Sequence, residues 1–479
     1  MGYKTGTDKE QITLMPACLD DYVPETHMCR VISAFTGQLD MGKLGYKYAE
    51  SKGTGCRPYD PRMMLNLYMY GYLNRVRSSR RMEAETRRNV EVMWLMDGLK
   101  PDDKTICNFR KDNAEALRQT FRAFVKMLRR LGLYGAELEA QDGTKFRANN
   151  SRKNNHNKTT VERELSRIEK QISEYMNVLD QGDKEEEGER APSADKIKAA
   201  MERLNERKIK FEELLERVEA EGEVSTVDPD ARLMHSGGDA RKLDVCYNVQ
   251  TITDGKHSMI VAFDIADSSS DRGNMEGMSE LAKEALEVES LTVLADKGYY
   301  DGEDIEKCEN NGVTCLVAKP RPGGTKKAEE FAHEQFIYDR EKDLYICPCQ
   351  TELRFMRKQK HSNGNEYLVY SNFPACGRCP RRAECTKAKY RQIWRPLYQD
   401  TLDEVDRRTK TNKALYRKRQ EIVEHPFGTI KAVWGYKQFL CRTKPKVTAE
   451  IALAYSAYNL RRAINIFAEK GISIVAALA

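Results

Sequence analysis

The sequence predicts an α/β protein: a mixed sheet with flanking helices, preceded by an all-α domain and interrupted by two insertions. Three observations carry this prediction. Apolar residues recur at helical spacing through residues 1–135. Beyond residue 225 short apolar, strand-like runs alternate with helical patterns. Residues 151–224 and 321–400 follow rules of their own, a heptad-like seam in the first and a crowd of cysteines in the second.

In residues 1–135, Met64, Leu65, Leu67, Tyr68, Tyr70, Tyr72 and Leu73 mark the strongest helix, and Arg75, Arg77, Arg80 and Arg81 follow it. A second helix pair begins at LKPDDKTICNFRKDN, with Asp103 or Thr105 as its expected cap. A short helix ending in Asn108, Phe109, Arg110 and Lys111, after an arginine-rich helix, suits a helix-turn-helix that contacts DNA. The plainer reading is a helical bundle with a solvated basic face.

In residues 136–150, AELEAQDGTKFRANN reads as a short strand ending at Asp142 with a turn at Gly143. Residues 151–224 read as an antiparallel helical hairpin. Val161, Leu165, Ile168, Ile172, Tyr175 and Leu179 form one seam, and Ile197, Met201, Leu204, Phe211, Leu214 and Val218 form the other. The charged run DQGDKEEEGERAPSAD joins them. In residues 225–320, LDVCYNVQTITD and HSMIVAFDIAD flank an Asp-Gly pair and predict a β-hairpin. A helix (NMEGMSELAKEALE), a strand ending at Asp296 (LTVLADKGYY), a helix (DGEDIEKCENNG) and a strand (VTCLVAKP) follow. Residues 401–470 are helical. The order of hairpin, helix, strand, helix, strand resembles an RNase H-like core assembled from 136–150, 225–320 and 401–470.

Bulk properties narrow the function classes. The formal charge of +6 is mildly basic and suits a polyanion partner without requiring one. The opening residues lack the apolar core of a signal peptide, and Gly6 stands where N-acylation wants Ser or Thr. No apolar run approaches a membrane span. A cytoplasmic protein, nucleoid-associated when on DNA, is the expectation. Eight of the 13 cysteines are scattered and read as buried thiols. The other five crowd into 347–385. Cys376 and Cys379 have the C-x-x-C spacing of a zinc knuckle, and Cys347 (or Cys349) with Cys385 completes a four-thiolate structural zinc site. A thiol-rich loop is the alternative.

Three acidic residues stand in distinct settings: Asp142 in DGTK, Asp296 in ADKGYYDGEDI and Glu424 in VEHPFGTIKAVWGY. Carboxylates that converge from distant parts of a chain suit two-metal phosphoryl transfer, because Mg²⁺ prefers hard oxygen ligands. Asp267 and Asp271 read as turn and cap residues, with the alternative that one of them orients a lysine or a metal-bound water.

These three blocks resemble those of DDE-type bacterial insertion-sequence transposases. The resemblance extends to RPYDPRMMLNLYMYGYLNRVRSSRRMEAETRRNVEVMWL, CYNVQTITD and AYNLRRAINI, in order along nearly the whole chain. It implies an RNase H-like catalytic domain holding two Mg²⁺ or Mn²⁺ ions on Asp142, Asp296 and Glu424. Tyr416, Arg419 and Lys431 match the Tyr, Arg, Glu, Lys series around the family's glutamate and imply phosphate contact. The spacing from Arg419 to Glu424 is one residue longer than the family's common pattern, so Glu421, spaced correctly from Arg417, is a rival. The implied partners are double-stranded DNA (element ends and target) and a second copy of the chain in a homodimer or larger assembly. The alternatives are a catalytically silent, transposon-derived DNA-binding protein and a nuclease that cleaves without joining.

Overall fold

The computed structural model describes residues 18–50, 57–182, 194–235, 243–320, 329–360 and 366–478. The opening segment, most of the charged run between the hairpin helices and Cys56 lie outside the described residues. Six helices come first: α1 (Met28–Gly37), α2 (Pro61–Leu73), α3 (Ser79–Arg88), α4 (Val90–Leu95), α5 (Asp103–Asp112) and α6 (Ala114–Arg130). Asp60 caps α2 and Pro61 fills its first turn, where a missing N–H costs nothing. All seven of the apolar α2 residues named above are buried, because other elements cover the helix on every side.

Residue Asp102 caps α5, accepting from the Thr105 N–H; the expected caps Asp103 and Thr105 both lie inside the helix. The proposed reading face of α5 also turns partly inward. Phe109 stacks between the rings of Tyr46 and Tyr68, and Arg110 is buried with its guanidinium on the Tyr72 hydroxyl (3.2 Å). Of the Asn-Phe-Arg-Lys run, Asn108 and Lys111 remain at the surface.

The chain continues through β1 (Leu138–Arg147), β2 (Asn155–Asn157), α7 (Lys158–Gly182), α8 (Ala194–Glu221), β3 (Glu223–Ser225), β4 (Arg232–His235), β5 (Leu243–Asp254), β6 (Ile260–Ala266), α9 (Met275–Leu286), β7 (Leu291–Ala295), α10 (Gly302–Asn310) and β8 (Val313–Val317). The main sheet runs β4-β5-β1-β7-β8, with β6 on the same side of β5 as β4. β1 is antiparallel to β5 and parallel to β7, and β7 is parallel to β8. The mixed α/β class is therefore as expected, but β1 does not end at Asp142. It runs on to Arg147, with Asp142 opposite Thr251 and Gly143 opposite Gln250. Gly143 is a place of close approach, not a turn. The Asp-Gly hairpin is as expected, with β6 antiparallel to β5 across the turn, and Asp254 ends β5 with its buried carboxylate accepting from the Gly135, Ala136, Lys256 and His257 N–H groups.

Between β1 and β4, α7 and α8 form an antiparallel hairpin sealed at its base by Val161, Leu214, Val218 and Val224. Tyr175, toward the far end, is exposed, so the seam thins outward. The cysteine-rich stretch holds β9 (Ile337–Asp339), β10 (Leu344–Ile346), β11 (Glu352–Lys360), β12 (Glu366–Ser371), α11 (Phe373–Arg378), α12 (Arg382–Cys385) and β13 (Gln392–Pro396). Its five strands form a separate antiparallel sheet over a small core of Phe336, Tyr345, Leu353, Tyr370 and Ile393. Then come α13 (Gln399–Thr411), α14 (Lys413–Phe427), a π-helical turn (Gly428–Val433), α15 (Lys444–Glu469) and α16 (Ile474–Leu478). Pro426 lies inside α14 and has no N–H for the ladder, which accounts for the change of winding just beyond it.

The N-terminal helices and the sheet share one apolar core, with α15 running through it against α2, α6 and β6. The end of the helical segment at residue 135 is a break in pattern along the chain and not a gap in packing. The scattered cysteines are not all buried: Cys18 and Cys107 are exposed. Among the described residues no helix is long and apolar enough to cross a membrane.

A buried polar junction fastens α15. Glu450 is fully buried; its carboxylate accepts from the Leu440 and Cys441 N–H groups, and Arg77 stands 3.7 Å away. Removing a buried, paired charge strands its partners. Glu450→Ala should lower the unfolding free energy by about 3–5 kcal/mol, read as a lower urea midpoint at unchanged m-value.

Candidate active site

The two parallel neighbours β1 and β7 deliver the first two acidic residues. Ala140 pairs with Leu294, so Asp142 and Asp296 each follow two residues beyond a matched pair. Asp296 leaves the strand and caps a short turn, accepting from the Gly298 N–H at 2.6 Å. Asp142 stays within β1, with its Oδ1 on the Gly143 N–H (2.9 Å) and Arg419 Nη1 3.8 Å from Oδ2. Burial pushes the Asp142 carboxyl up to about 6; Asp296 and Asp271 add to the rise and Arg419 opposes it.

Helix α14 lies across this sheet, with Ile422 and Val423 packed on Ala140, Leu294 and Leu316. That contact brings Tyr416 and Arg419 to the site: the Tyr416 hydroxyl donates to the Ala295 carbonyl (3.1 Å), one residue before Asp296. Lys431, in the π-helical turn, donates to Thr144 Oγ1 (2.5 Å) and the Lys145 carbonyl (2.7 Å) on β1. Burial pulls its ammonium down to about 8. Glu424 is exposed, and its Oε1 accepts from Gln420 on the same helix (2.7 Å). Among the described residues no hydrogen bond or ion pair joins Glu424 or Glu421 to Asp142 or Asp296.

A carboxylate not on the expected list does reach the site. Asp267 is an exposed partner of Lys444 (2.6 Å), but Asp271 folds back onto β5. Its Oδ1 accepts from Gln250 Nε2 (2.8 Å) and Asn248 Nδ2 (3.1 Å). Gln250 Oε1 in turn accepts from the buried Tyr299 hydroxyl. Asp271 is therefore more than a turn or cap residue. The available signal was Asn248 and Gln250 themselves, two amide side chains buried on one face of β5.

Hard carboxylate oxygens, like-charge crowding and a single nearby arginine suit a divalent cation. Asp142, Asp271 and Asp296 do not bring three carboxylate oxygens within 4.8 Å of one another, so they would close on a cation by side-chain rotation, and the cysteines are likewise apart. Cys347, Cys349, Cys376, Cys379 and Cys385 line one small cavity in the second sheet's module, and the Thr351 N–H points at Cys347 Sγ (3.4 Å). No three of their sulfurs lie within 4.8 Å of one another; among the described residues that spacing occurs only at His27, Cys29 and Glu91. There His27 Nδ1 accepts from the Cys29 N–H, which leaves the ring proton on Nε2 facing Glu91. Burial also pushes the Cys29 thiol up to about 12. That trio is a hydrogen-bonded cap and not a metal centre.

Comparison with known families gives two matches. Residues 17–112 match the model described as Transposase domain (DUF772), and residues 222–460 match the Transposase DDE domain. Asp271, Asp296, Tyr416, Arg419, Glu424 and Lys431 fall inside the second span, and Asp142 falls between the two. No curated protein and no solved structure matches.

The close approach at Gly143 is open to test. An added Cβ would lie 2.4 Å from Asp271 Oδ1 and 2.6 Å from Gln250 Nε2, whereas at Gly428 it would meet nothing within 4 Å. Gly143→Ala should cost about 1–3 kcal/mol in thermal unfolding. Gly428→Ala, in helical backbone, should be neutral or stabilising by up to about 1 kcal/mol.

Proposed function

This chain belongs to the DDE-type insertion-sequence transposases, and we propose that it binds the terminal repeats of its element and cleaves and joins DNA strands by metal-dependent, in-line phosphoryl transfer. The observation that carries this reading is the placement of Asp142, within β1, and Asp296, just past the end of β7, each two residues beyond the Ala140–Leu294 pair of these neighbouring parallel strands, with Arg419 against Asp142. Asp142, Asp296 and Glu424 would hold two Mg²⁺ or Mn²⁺ ions, which supply Lewis acidity toward the attacking and leaving oxygens.

The chemistry needs a water oxygen to attack the scissile phosphorus in line with the departing 3′-oxygen. The freed 3′-hydroxyl then attacks a phosphate of target DNA. Arg419 and Lys431 bring positive charge to the ground a scissile phosphate would occupy, and Tyr416 braces the strand end that carries Asp296. Glu424 is bonded to its own helix alone, so it is the ligand that must turn inward when DNA and metal arrive.

Exposed Arg80, Arg81, Asn108 and Lys111 are the surface of the N-terminal helices offered to DNA phosphates. A homodimer or larger assembly on paired ends, in the cytoplasm and on the nucleoid, completes the reading. The outward Glu424 favours one rival, a DNA-binding protein without catalysis. A nuclease that cannot join would share the same site.

The test is cleavage of a labelled duplex carrying the element ends, with Mg²⁺. Wild type should nick it and transfer the strand. Asp296→Asn and Glu424→Gln should each lose more than about 10²-fold in nicking while retaining end binding, and Glu421→Gln should stay active. Loss in Glu421→Gln alone would move the third ligand. Tight binding without nicking by wild type would favour the silent binder, and nicking without joining the nuclease.

The same reading gives the cysteine module one structural zinc ion on Cys347, Cys376, Cys379 and Cys385. Its apolar core is small, and a small core commonly needs a staple. The Thr351 N–H directed at Cys347 Sγ holds that sulfur in place at the cavity wall. The sulfurs would have to draw together by side-chain rotation to close on the ion. Reduced protein should carry about one zinc per chain by elemental analysis and lose it in Cys379→Ser. Metal-free, fully folded protein would overturn this assignment.

A further inference from the structure

We infer that Asp271 is an additional carboxylate of the divalent-cation site, beside Asp142 and Asp296; this rests on the cation-binding part of the function proposed above. Three observations converge on it.

The first is a cradle. Gly143 on β1 and Gly298 in the turn after β7 both lack a side chain where Asp271 arrives. A Cβ at Gly143 would collide with its Oδ1 at 2.4 Å, and one at Gly298 would stand 3.6 Å from its Oδ2. The carboxylate therefore lies between the strand that carries Asp142 and the turn that Asp296 caps.

The second is the direction of its hydrogen bonds. Tyr299 donates to Gln250 Oε1, which leaves the Gln250 amide nitrogen for Asp271. Gln250 Nε2 also reaches Asn248 Oδ1 (3.2 Å), so the Asn248 amide nitrogen faces Asp271 as well. Both amides donate to one carboxylate oxygen, which fixes the direction of the Asp271 side chain.

The third is charge. Among the described residues no ion pair joins Asp271 to a lysine or arginine, whereas its loop neighbour Asp267 is paired with Lys444. Asp142, Asp271 and Asp296 thus crowd together, and Arg419 and Lys431 are the cationic groups that act on Asp142. A compensating cation belongs there, and oxygen-only donors select a hard one.

Sequence position alone did not separate Asp271 from Asp267, because both sit in one serine-rich loop. The amide clamp on β5 is what gives that loop aspartate a fixed direction. As a ligand, or as a charge acting on ligands through the ion, its removal should weaken cation binding about 10–100-fold.

The decisive experiment measures Mn²⁺ binding to the full chain without DNA, by titration calorimetry and by the loss of the free-ion paramagnetic signal. Wild type, Asp271→Asn, Asp271→Ser and Asp267→Asn are compared, with thermal unfolding as the fold check. Asp271→Asn keeps the size and an acceptor for the two amides while removing the charge. The inference expects Mn²⁺ affinity to fall at least about tenfold in both Asp271 variants and to hold in Asp267→Asn, with folded protein throughout. Wild-type affinity in Asp271→Asn, no Mn²⁺ binding by wild type, or unfolding of both Asp271 variants would overturn it. Weakened Mn²⁺ binding with no nicking by wild type would leave this inference standing and remove the catalytic reading. Active nicking with unaltered Mn²⁺ affinity in Asp271→Asn would do the reverse.

Discussion

Glu450 has no access to water, so its carboxylate must be solvated by protein. The Leu440 and Cys441 N–H groups supply that solvation from the loop ahead of α15, and Arg77 supplies charge from beyond the end of α2. Arg77 also covers the Tyr436 ring and donates to the Gln438 carbonyl. Each partner comes from a different part of the chain. The junction therefore fixes α15, the segment after the π-helical turn and the N-terminal helices in one relation. The Arg147 N–H donates to the Lys437 carbonyl and the Phe439 N–H to the Arg147 carbonyl, so the end of β1 is tied to the same segment. The strand bearing Asp142 is thus anchored at one end to a buried charge network.

The second constraint is strand order. Placing β1 beside β7 in parallel puts the corresponding ends of both strands at one edge, where side chains leave the sheet with their backbones already fixed. Catalytic and ligand groups gain from such mounting because their approach costs little further ordering. α14 then supplies basic groups from above, held down by Ile422 and Val423. The carboxylates crowd because the sheet leaves them no alternative. Burial and like charge raise Asp142, and one arginine only partly offsets that strain.

Much of this was legible in the sequence. α2, the two hairpin helices and the strand before Asp296 are long or sharply bounded, and their apolar spacing states their geometry. The misreadings share one cause: a residue's local meaning was overridden by a partner far along the chain. Gly143 after an aspartate looks like a turn, but it is a gap left for Asp271. Arg110 looks like a DNA contact, but Tyr68 and Tyr72 draw it into the core. Asp271 looks like loop punctuation until Asn248 and Gln250 are seen opposite it. Glu424 and Lys431 were singled out by the resemblance to the family's third block, which could not say which way each side chain faces.

The paired helices between β1 and β4 set a distance scale. At about 1.5 Å per residue, the 28-residue α8 is roughly 42 Å long. One turn of duplex DNA is about 34–36 Å. The base of the hairpin joins β2 and β3, a few residues beyond the end of β1. Its far end thus stands roughly 42 Å from its root, about a fifth more than one such turn. Whatever the far end of the arm touches therefore lies farther than one turn of DNA from the strand that carries Asp142.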